Sequence, residues 1–400
     1  MTHYDVVILG AGAAGLMCAI EAGKAGKSVV ALERNRHAAQ KIRISGGGRC
    51  NFTNINTDKN KFISENKNFC ISALKRYTPR DFIALVDEYK IDYHEKTLGQ
   101  YFCDDSAMQI IDLLLNECEK AGVEIIKQLE VKKIEKVDGI FELNTSDDVI
   151  TGDKLVLATG GPSIPKMGAS SIGYIIAKQF GHSIIDTRPG LVPLTFSDDM
   201  KGYIAVLSGI SIDDVEVSVA DKKIKQKFRE ALLFTHRGLS GPAILQISSF
   251  WREGKEIVIN MLPDQDMYEL LLTAKKDNPK QLLHNMLSAY FAKKLAVYIT
   301  EETDVGGQMG SFSDKKLRKV ADMVNRWHVL PNGSEGNRTA EVTLGGVNTR
   351  EISSQTFESQ KTEGLYIIGE LLDVTGYLGG YNFQWAWSSA YACGSSFGSD

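Results

Sequence analysis

Residues 4–15 constrain this chain more than any others. Tyr4-Asp5-Val6-Val7-Ile8-Leu9 is an apolar run of strand length, and Gly10-Ala11-Gly12-Ala13-Ala14-Gly15 follows without a break. The small, apolar residues of 13–24 then predict a helix, and a second strand over 28–32 ends at Glu33. Gly10 permits the tight turn from strand to helix. Gly12 lets the backbone approach a pyrophosphate, and Gly15 lets the helix pack closely on the strand. N–H groups at the helix start, around Ala13 and Ala14, have no partners within the helix and are free to hold phosphate. Glu33 follows Gly15 at the spacing where a carboxylate accepts hydrogen bonds from an adenosine ribose. A glycine triplet alone is a weak signal. With a strand before it, a helix after it and an acid at this distance, it predicts a dinucleotide-binding unit.

The 400 residues allow two or three domains. A formal charge of −4 and the lack of a concentrated basic run argue against a nucleic-acid partner, leaving a small-molecule substrate as the expectation. Seven histidines and six cysteines show no CxxC or HxxxH spacing, so no metal site is expected. The scattered cysteines read as reduced thiols, and with a strand where a signal peptide would need a basic flank the expected location is the cytoplasm. The stretch 374–399 carries no charge, but Gly, Ser, Asn382 and Gln384 dilute it too far for lipid. A helix buried in protein is expected there, with no membrane contact.

Helical spacing recurs over 79–89 and 106–121, where Ile110, Leu113, Leu114 and Cys118 share a face. Short strands are predicted at 123–126, 129–134 and 141–144, and a buried one at 154–158 running into Thr159-Gly160-Gly161. After Pro189 to Pro193 the pattern changes. Alternating β-type runs fill 194–219, with Val215, Val217 and Val219 on one side, and another strand covers 255–261. From 264 to 328 the spacing is helical: Leu283, Leu287 and Tyr290 form one stripe, Leu317, Val320, Val324 and Trp327 another, with Ser313 as N-cap. A final strand at 365–369 reaches Glu370. The predicted class is α/β, with a Rossmann-like domain split in sequence (1–190 and 340–400), a β-rich insert (191–263) and a helical insert (264–339).

Three segments besides the first turn are candidates for the cofactor. Lys41 opens a polar stretch with Gly46, Gly47, Gly48, Arg49, Cys50 and Asn51, where glycines bare the backbone to a flat or phosphorylated ligand. Thr159, Gly160 and Gly161 end a parallel strand, the usual ligand position of an open α/β sheet. Gly369, Glu370, Gly380, Tyr381, Asn382 and Phe383 form the third. Arg34, next to Glu33, joins the candidates. A helix starting near Gly380 directs its positive end at a nearby group. Reduced flavin is negative around N1 and the C2 carbonyl, whereas reduced nicotinamide is neutral, so this arrangement favours FAD over NAD as the resident cofactor. No second strand–GxGxxG–helix unit occurs, so NAD(P)H is expected only as a transient electron donor.

Gly10-Ala-Gly-Ala-Ala-Gly15, Ser45-Gly-Gly-Gly-Arg-Cys-Asn51, Leu233-Phe-Thr-His-Arg-Gly-Leu-Ser-Gly-Pro242, Ala340-Glu-Val-Thr-Leu-Gly-Gly-Val347 and Gly379-Gly-Tyr-Asn-Phe-Gln-Trp-Ala-Trp-Ser-Ser389 together resemble the bacterial BaiN/YhiN-like family of FAD-dependent oxidoreductases. The resemblance covers essentially the whole chain. It implies a two-dinucleotide-type FAD domain with a β-barrel-like and a small helical insert. It also implies that Glu33 meets the adenosine ribose, Val131 the adenine through its backbone, Glu370 the ribityl chain, and Gly380 to Phe383 the flavin pyrimidine. Family members are assigned to reduction of a steroid carbon–carbon double bond and to oxidation of small amines.

His236 and Arg237 sit where a β-type run breaks before Gly238, with Ser240 placed to cap a helix that has Pro242 in its first turn. Two readings stand side by side. His236 transfers a proton while Arg237 or Arg49 binds an anionic group, or His236 and Ser240 merely anchor a turn. Cys50 is expected to be a small packed residue, His94 a surface residue, and Tyr381 and Trp385 packing or flavin-contact groups. The expected function is an FAD-dependent oxidoreductase moving a hydride through flavin N5. The alternatives are an amine oxidase releasing H2O2 from O2, and a flavin-bound sensor; tRNA modification is disfavoured by the acidic balance.

Overall fold

The computed structural model describes residues 2–197, 202 and 204–398, so part of the β-type stretch 194–219 and the end of 374–399 lie outside the described residues. The chain forms two compact units, Met1–Arg188 with Val342–Asp400, and Pro189–Glu341.

In chain order, the main elements of the first unit are β1 (Thr2–Leu9), α1 (Ala13–Lys24), β2 (Val29–Glu33), α2 (Met108–Lys120), β3 (Glu124–Lys127), β4 (Val131–Val137), β5 (Ile140–Thr145), β6 (Val149–Leu157), β7 (Leu365–Ile367) and α3 (Tyr381–Gly394). The sheet order is β3-β2-β1-β6-β5-β4, with β7 also on β6. β3, β2, β1, β6 and β7 are parallel. The long strand β6 divides its outer edge, pairing antiparallel with β5 at Val149–Gly152 and parallel with β7 at Leu155–Leu157. Val6, Val7, Ile8, Leu155, Val156 and Leu157 are all fully buried. Such continuous apolar runs, rather than alternation, mark strands covered on both faces. The strand that completes the parallel core arrives from near the C-terminus, so this α/β unit is split in sequence, as its opening βαβ pattern and late Glu370 strand predict.

Helix α1 is apolar nearly all round because it is hemmed in. A Cβ on Gly394 of α3 would lie 2.6 Å from the Cys18 carbonyl oxygen, and one on Gly23 would lie 2.5 Å from that of Ala121, just past α2. The face of α2 read from the sequence is the buried one, with Ile110, Leu113, Leu114 and Cys118 all under 2 % exposed. The chargeless C-terminal stretch forms the buried helix α3, on which Trp387 stacks against Phe82 at 4.4 Å. Among the described residues no helix is long and apolar enough to cross a membrane.

The second unit has a seven-stranded sheet ordered Trp327–Val329, Ile257–Asn260, Ser211–Val219, Lys227–Thr235, Gly238–Ser240, Leu194–Thr195, Gly333–Ser334. All of these pairings are antiparallel. Val215, Val217 and Val219 face the core as expected. Ser313 caps Asp314–Asn325, accepting from Lys316 N–H at 3.4 Å. Two readings need correction. Trp327 belongs to a strand rather than the helical stripe, because Asn325 ends its helix and spends its side-chain amide on Asn260, Leu262 and Gln265. The helix Pro242–Ser248 has Pro242 at its first position but is capped by Gly241, not Ser240. Gly241 has φ +90°, and any Cβ there would meet the Ala231–Leu233 backbone at 2.9–3.0 Å.

Candidate cofactor site

The parallel strands of the first unit finish side by side, and the candidate residues gather past their C-terminal ends. Gly10 has φ +107°, and a Cβ there would stand 2.6 Å from the Ala158 carbonyl oxygen. Gly15 is tighter still, with a Cβ only 1.8 Å from the Gly10 carbonyl oxygen. Gly12 is different in kind. It is the N-cap of α1 with an ordinary φ of −83°, and nothing lies within 4 Å of an added Cβ. Open space before an uncapped helix start, with the Ala13 and Ala14 amides behind it, is the room a pyrophosphate requires.

Glu33 is buried at the end of β2. Its Oε2 accepts from Ala11 N–H at 3.2 Å, and its Oε1 from the Asn35 backbone and side-chain amides, each at 2.8 Å. These bonds fix the carboxylate and leave acceptor capacity for a hydroxyl. Arg34 instead reaches Gly168 O at 2.9 Å and is exposed. The Glu33 carbonyl accepts from Leu129 N–H at 3.1 Å, which brings the start of β4 and Val131 to this end of the sheet.

Glu370 lies just past β7. Lys41 Nζ donates to its Oε2 at 2.7 Å and to Ser163 Oγ at 2.6 Å. Ser163 Oγ (3.1 Å) and Thr343 N–H (2.9 Å) both donate to Glu370 Oε1. A Cβ on Gly160 would be 3.6 Å from Glu370, and one on Gly161 would meet Thr343 Oγ1 at 2.5 Å and Tyr174 OH at 3.2 Å. Those two hydroxyls are buried without a hydrogen-bond partner. A Cβ on Gly369 would in turn press on Ala14 at 2.9 Å.

In the glycine-rich tract, Gly46, Gly47 and Gly48 have φ of +57°, +68° and +85°, and the last two have open space before them. The tract is anchored rather than loose: Cys50 N–H donates to Ser45 O at 3.0 Å, Ala107 N–H to Gly48 O at 2.7 Å, and Cys103 N–H to Arg49 O at 2.9 Å. The Arg49 side chain is exposed. Cys50 is fully buried, and burial pushes its thiol far above the ordinary range, against a bond from Ser45. That thiol is packed, not reactive.

Helix α3 begins beside this tract. A Cβ on Gly380 would lie 2.4 Å from Thr53 O, so the helix start and the strand Asn51–Asn54 touch backbone to backbone. With its amide oriented to satisfy both ends, Asn51 accepts from Gly380 N–H at 3.2 Å and donates to Tyr101 O at 3.2 Å. Asn382 folds back on the preceding turn, accepting from Gly376 N–H at 2.8 Å and donating to Gly376 O at 2.9 Å. Its side chain therefore shapes the turn, and the backbone amides of Asn382 and Phe383 stand in the first turn of the helix. Tyr381 is buried and Phe383 partly so. Below them Gln384 accepts from Thr53 Oγ1 at 2.6 Å and donates to Tyr77 O and Ser388 Oγ at 3.0 Å each.

These residues fit FAD. Gly12 leaves open space before the α1 amides, Glu33 and Glu370 are two carboxylates fixed by hydrogen bonds, and α3 presents a positive helix end. Sequence reasoning missed Ser163, Thr343, Asn35, Tyr174 and Thr53. Ser163 and Thr343 do lie within or next to glycine motifs, but nothing local marks them as partners of Glu370.

In the second unit His236 and Arg237 form the turn of a hairpin, closed by the Thr235–Gly238 pair. Thr235 Oγ1 accepts from the amides of Arg237 (3.3 Å) and Gly238 (3.1 Å), so Thr235 anchors the turn and the exposed His236 side chain is not needed for it. His94 is exposed and pairs with Asp104 at 2.6 Å.

A family model described as "HI0933-like protein Rossmann domain" matches residues 4–396. Among curated proteins, the chain is 48% identical over 398 residues to a "Ribosomal RNA dihydrouridine synthase" of Escherichia coli, covering 98% of each. It is 46% identical over 399 residues to a protein of the same description from Haemophilus influenzae, again covering 98% of each. A "3-dehydro-bile acid delta(4,6)-reductase" of Clostridium scindens is 28% identical over 403 residues, covering 97% of both chains.

Proposed function

The chain belongs to the HI0933-like Rossmann family of FAD-dependent oxidoreductases, and from that membership we propose that it reduces the C5=C6 bond of a uridine in ribosomal RNA. The observation that carries the substrate is the near-complete coverage, at 48% and 46% identity, of two relatives described as ribosomal RNA dihydrouridine synthases. The bile-acid relative supports the reaction class. Both descriptions imply saturation of a carbon–carbon double bond conjugated to a carbonyl, which needs a hydride at one carbon and a proton at the other. FAD, when bound, supplies the hydride from N5, with NAD(P)H as the outside electron source.

The chain's own residues supply the rest. The Gly12 cradle and the α1 amides hold the pyrophosphate, Glu33 the adenosine ribose, and Glu370, steadied by Lys41, the ribityl hydroxyls. The N-terminal end of α3, with the amides of Asn382 and Phe383, favours negative charge on the flavin pyrimidine. His236 delivers the proton to the uracil ring, and Arg49 and Arg237 meet RNA phosphate. This reading sets aside the expectation of no nucleic-acid partner. Net charge sums over the whole chain, whereas RNA contact needs only local cations.

The test is to mix the FAD-loaded protein anaerobically with NADH or NADPH, then with rRNA from a strain lacking this gene. Flavin bleaching within seconds, followed by dihydrouridine in the digested RNA by mass spectrometry, is expected. Bleaching with saturation of a 3-oxo-Δ4,6 steroid but no change in RNA would favour the small-molecule reading instead. Peroxide from an added amine, without bleaching by either nucleotide, would mark an oxidase.

A further inference from the structure

The strands Tyr93–Glu95 and Gln100–Cys103 form a hairpin that turns through Thr97-Leu98-Gly99-Gln100. Gln100 N–H donates to Thr97 O at 3.0 Å, and Lys96 N–H to Gln100 O at 3.0 Å. Both central residues have positive φ, +52° at Leu98 and +79° at Gly99. Two-residue hairpin turns of this kind take Asn-Gly or Asp-Gly, whose first residue tolerates the left-handed region. Here a leucine holds the asparagine position. Its side chain is also 60 % exposed, so it is disfavoured in backbone conformation and in hydration together. The other described apolar residues at positive φ are covered: Ala39, Cys50, Leu191 and Phe357 are buried and Ile164 half-buried. A local rule broken without a packing gain points to function.

The turn is also held firmly, and it is tied to the flavin end of the cofactor site. The side-chain amides of Asn54 and Asn56 both donate to Leu98 O at 3.3 Å, Gly99 N–H donates to Glu95 Oε1 at 3.0 Å, and Ile55 N–H donates to Gly99 O at 2.9 Å. Asn54 Nδ2 donates at 2.7 Å to Gly379 O as well, in the turn that opens α3. Gln100 packs on Gly379, where an added Cβ would meet its side chain at 2.9 Å. Lys96, exposed two residues from Leu98, stands 5.3 Å from the Phe102 ring centroid and offers a cation to a phosphate.

We infer that Leu98 is an apolar wedge that enters the base stack of the target RNA and fills the gap left when the uridine turns out toward the flavin. A stacked uridine cannot present C5=C6 to a flat ring, so the base must leave its stack. Leucine is among the side chains that proteins insert between base steps to unstack them. The inference deepens the rRNA reading and rests on it.

Three variants test the wedge. Leu98→Gly suits the turn better than leucine, and Leu98→Ala removes the wedge without freeing the backbone. Leu98→Met keeps a long apolar arm. On intact rRNA from the gene-deleted strain, the first two are expected to form dihydrouridine at least tenfold more slowly, while Leu98→Met stays within about threefold of the parent. FAD content and anaerobic bleaching by NAD(P)H should match the parent in all three, and Leu98→Gly should melt no lower. Leu98→Gly or Leu98→Ala working within twofold of the parent would overturn the wedge alone. Absence of dihydrouridine with the unsubstituted protein would overturn the rRNA reading, and the wedge with it.

Discussion

Lys41 Nζ lies 2.7 Å from Glu370 Oε2, an ion pair that joins the polar tract after the first βαβ unit to the strand end near the C-terminus. Both side chains are largely covered, at 31 % and 22 % exposure, and Ser163 shares the cluster with them. In a half-buried cluster such a contact does more than a surface ion pair. Lys41→Met should leave Glu370 with Ser163 and Thr343 N–H only. The apoprotein is expected to lose about 1–3 kcal/mol by urea unfolding, and FAD titration should show roughly tenfold weaker binding. Unchanged FAD affinity would separate this pair from the cofactor.

Gly12 and Gly15 should fail in different ways. Valine at Gly12 meets nothing within 4 Å and asks for no unusual φ, so Gly12→Val is expected to fold with its melting temperature nearly unchanged yet purify colourless. Alanine at Gly15 would drive a Cβ against the Gly10 carbonyl, so Gly15→Ala should cost about 1–3 kcal/mol of stability as well as the cofactor. Full yellow colour in Gly12→Val would count against the phosphate position.

His236 is exposed on a turn that Thr235 holds, so His236→Ala should keep the fold and the FAD. Single-turnover oxidation of the reduced flavin by rRNA is expected to slow by roughly 10²-fold or more. Bleaching by NAD(P)H should be unaffected, since that step needs no proton from His236. A variant as fast as the parent would leave His236 as a surface residue.

A second cluster, built around the buried His182, predicts the acid limit of the fold. Burial alone would raise Glu351, but Lys361, the amide and hydroxyl of Ser183, and His182 outweigh it and bring Glu351 down to about 2. His182 is lowered by burial, against the pull of Glu351. Both folded values lie below the unfolded ones, so both groups bind protons more readily when unfolded and stability falls as pH falls. The His182 contribution begins to be lost below about pH 6.5 and that of Glu351 between about pH 5 and 2. Glu351→Gln, its ion pair with the exposed Lys361 being screened by water, should lower stability at pH 7 by about 1–2 kcal/mol and flatten the acid limb of a plot of unfolding free energy against pH. A limb of unchanged slope would place the acid sensitivity elsewhere. Ser359 Oγ is 2.8 Å from His182 Nε2 and completes a serine–histidine–carboxylate row. That hydroxyl already accepts the amides of Lys361 and Thr362, so its role is to fix a loop.

What the sequence determined by itself is what short-range sterics and periodicity control. Gly10 to Gly15 marked a strand–turn–helix because Gly10 takes a positive φ and Gly15 packs on the Gly10 carbonyl, both short-range demands. The α2 face and the Ser313 cap were readable for the same reason, and the chargeless C-terminal stretch could be read as a buried helix from dilution of its apolar content. Tertiary structure decided everything that depends on which distant backbones touch. Gly380 is glycine because Thr53 O lies where its Cβ would be. Gly345 and Gly346 are glycines because the Asp186 and Leu371 carbonyls approach to 2.3 and 2.6 Å. Gly241 displaced Ser240 as a cap through its crowding against Leu232 and Leu233, and Lys41 found Glu370 rather than solvent. Local pattern records how a segment wants to bend and which side it buries; the partner of a buried charge is chosen only when the sheet brings its strand ends together.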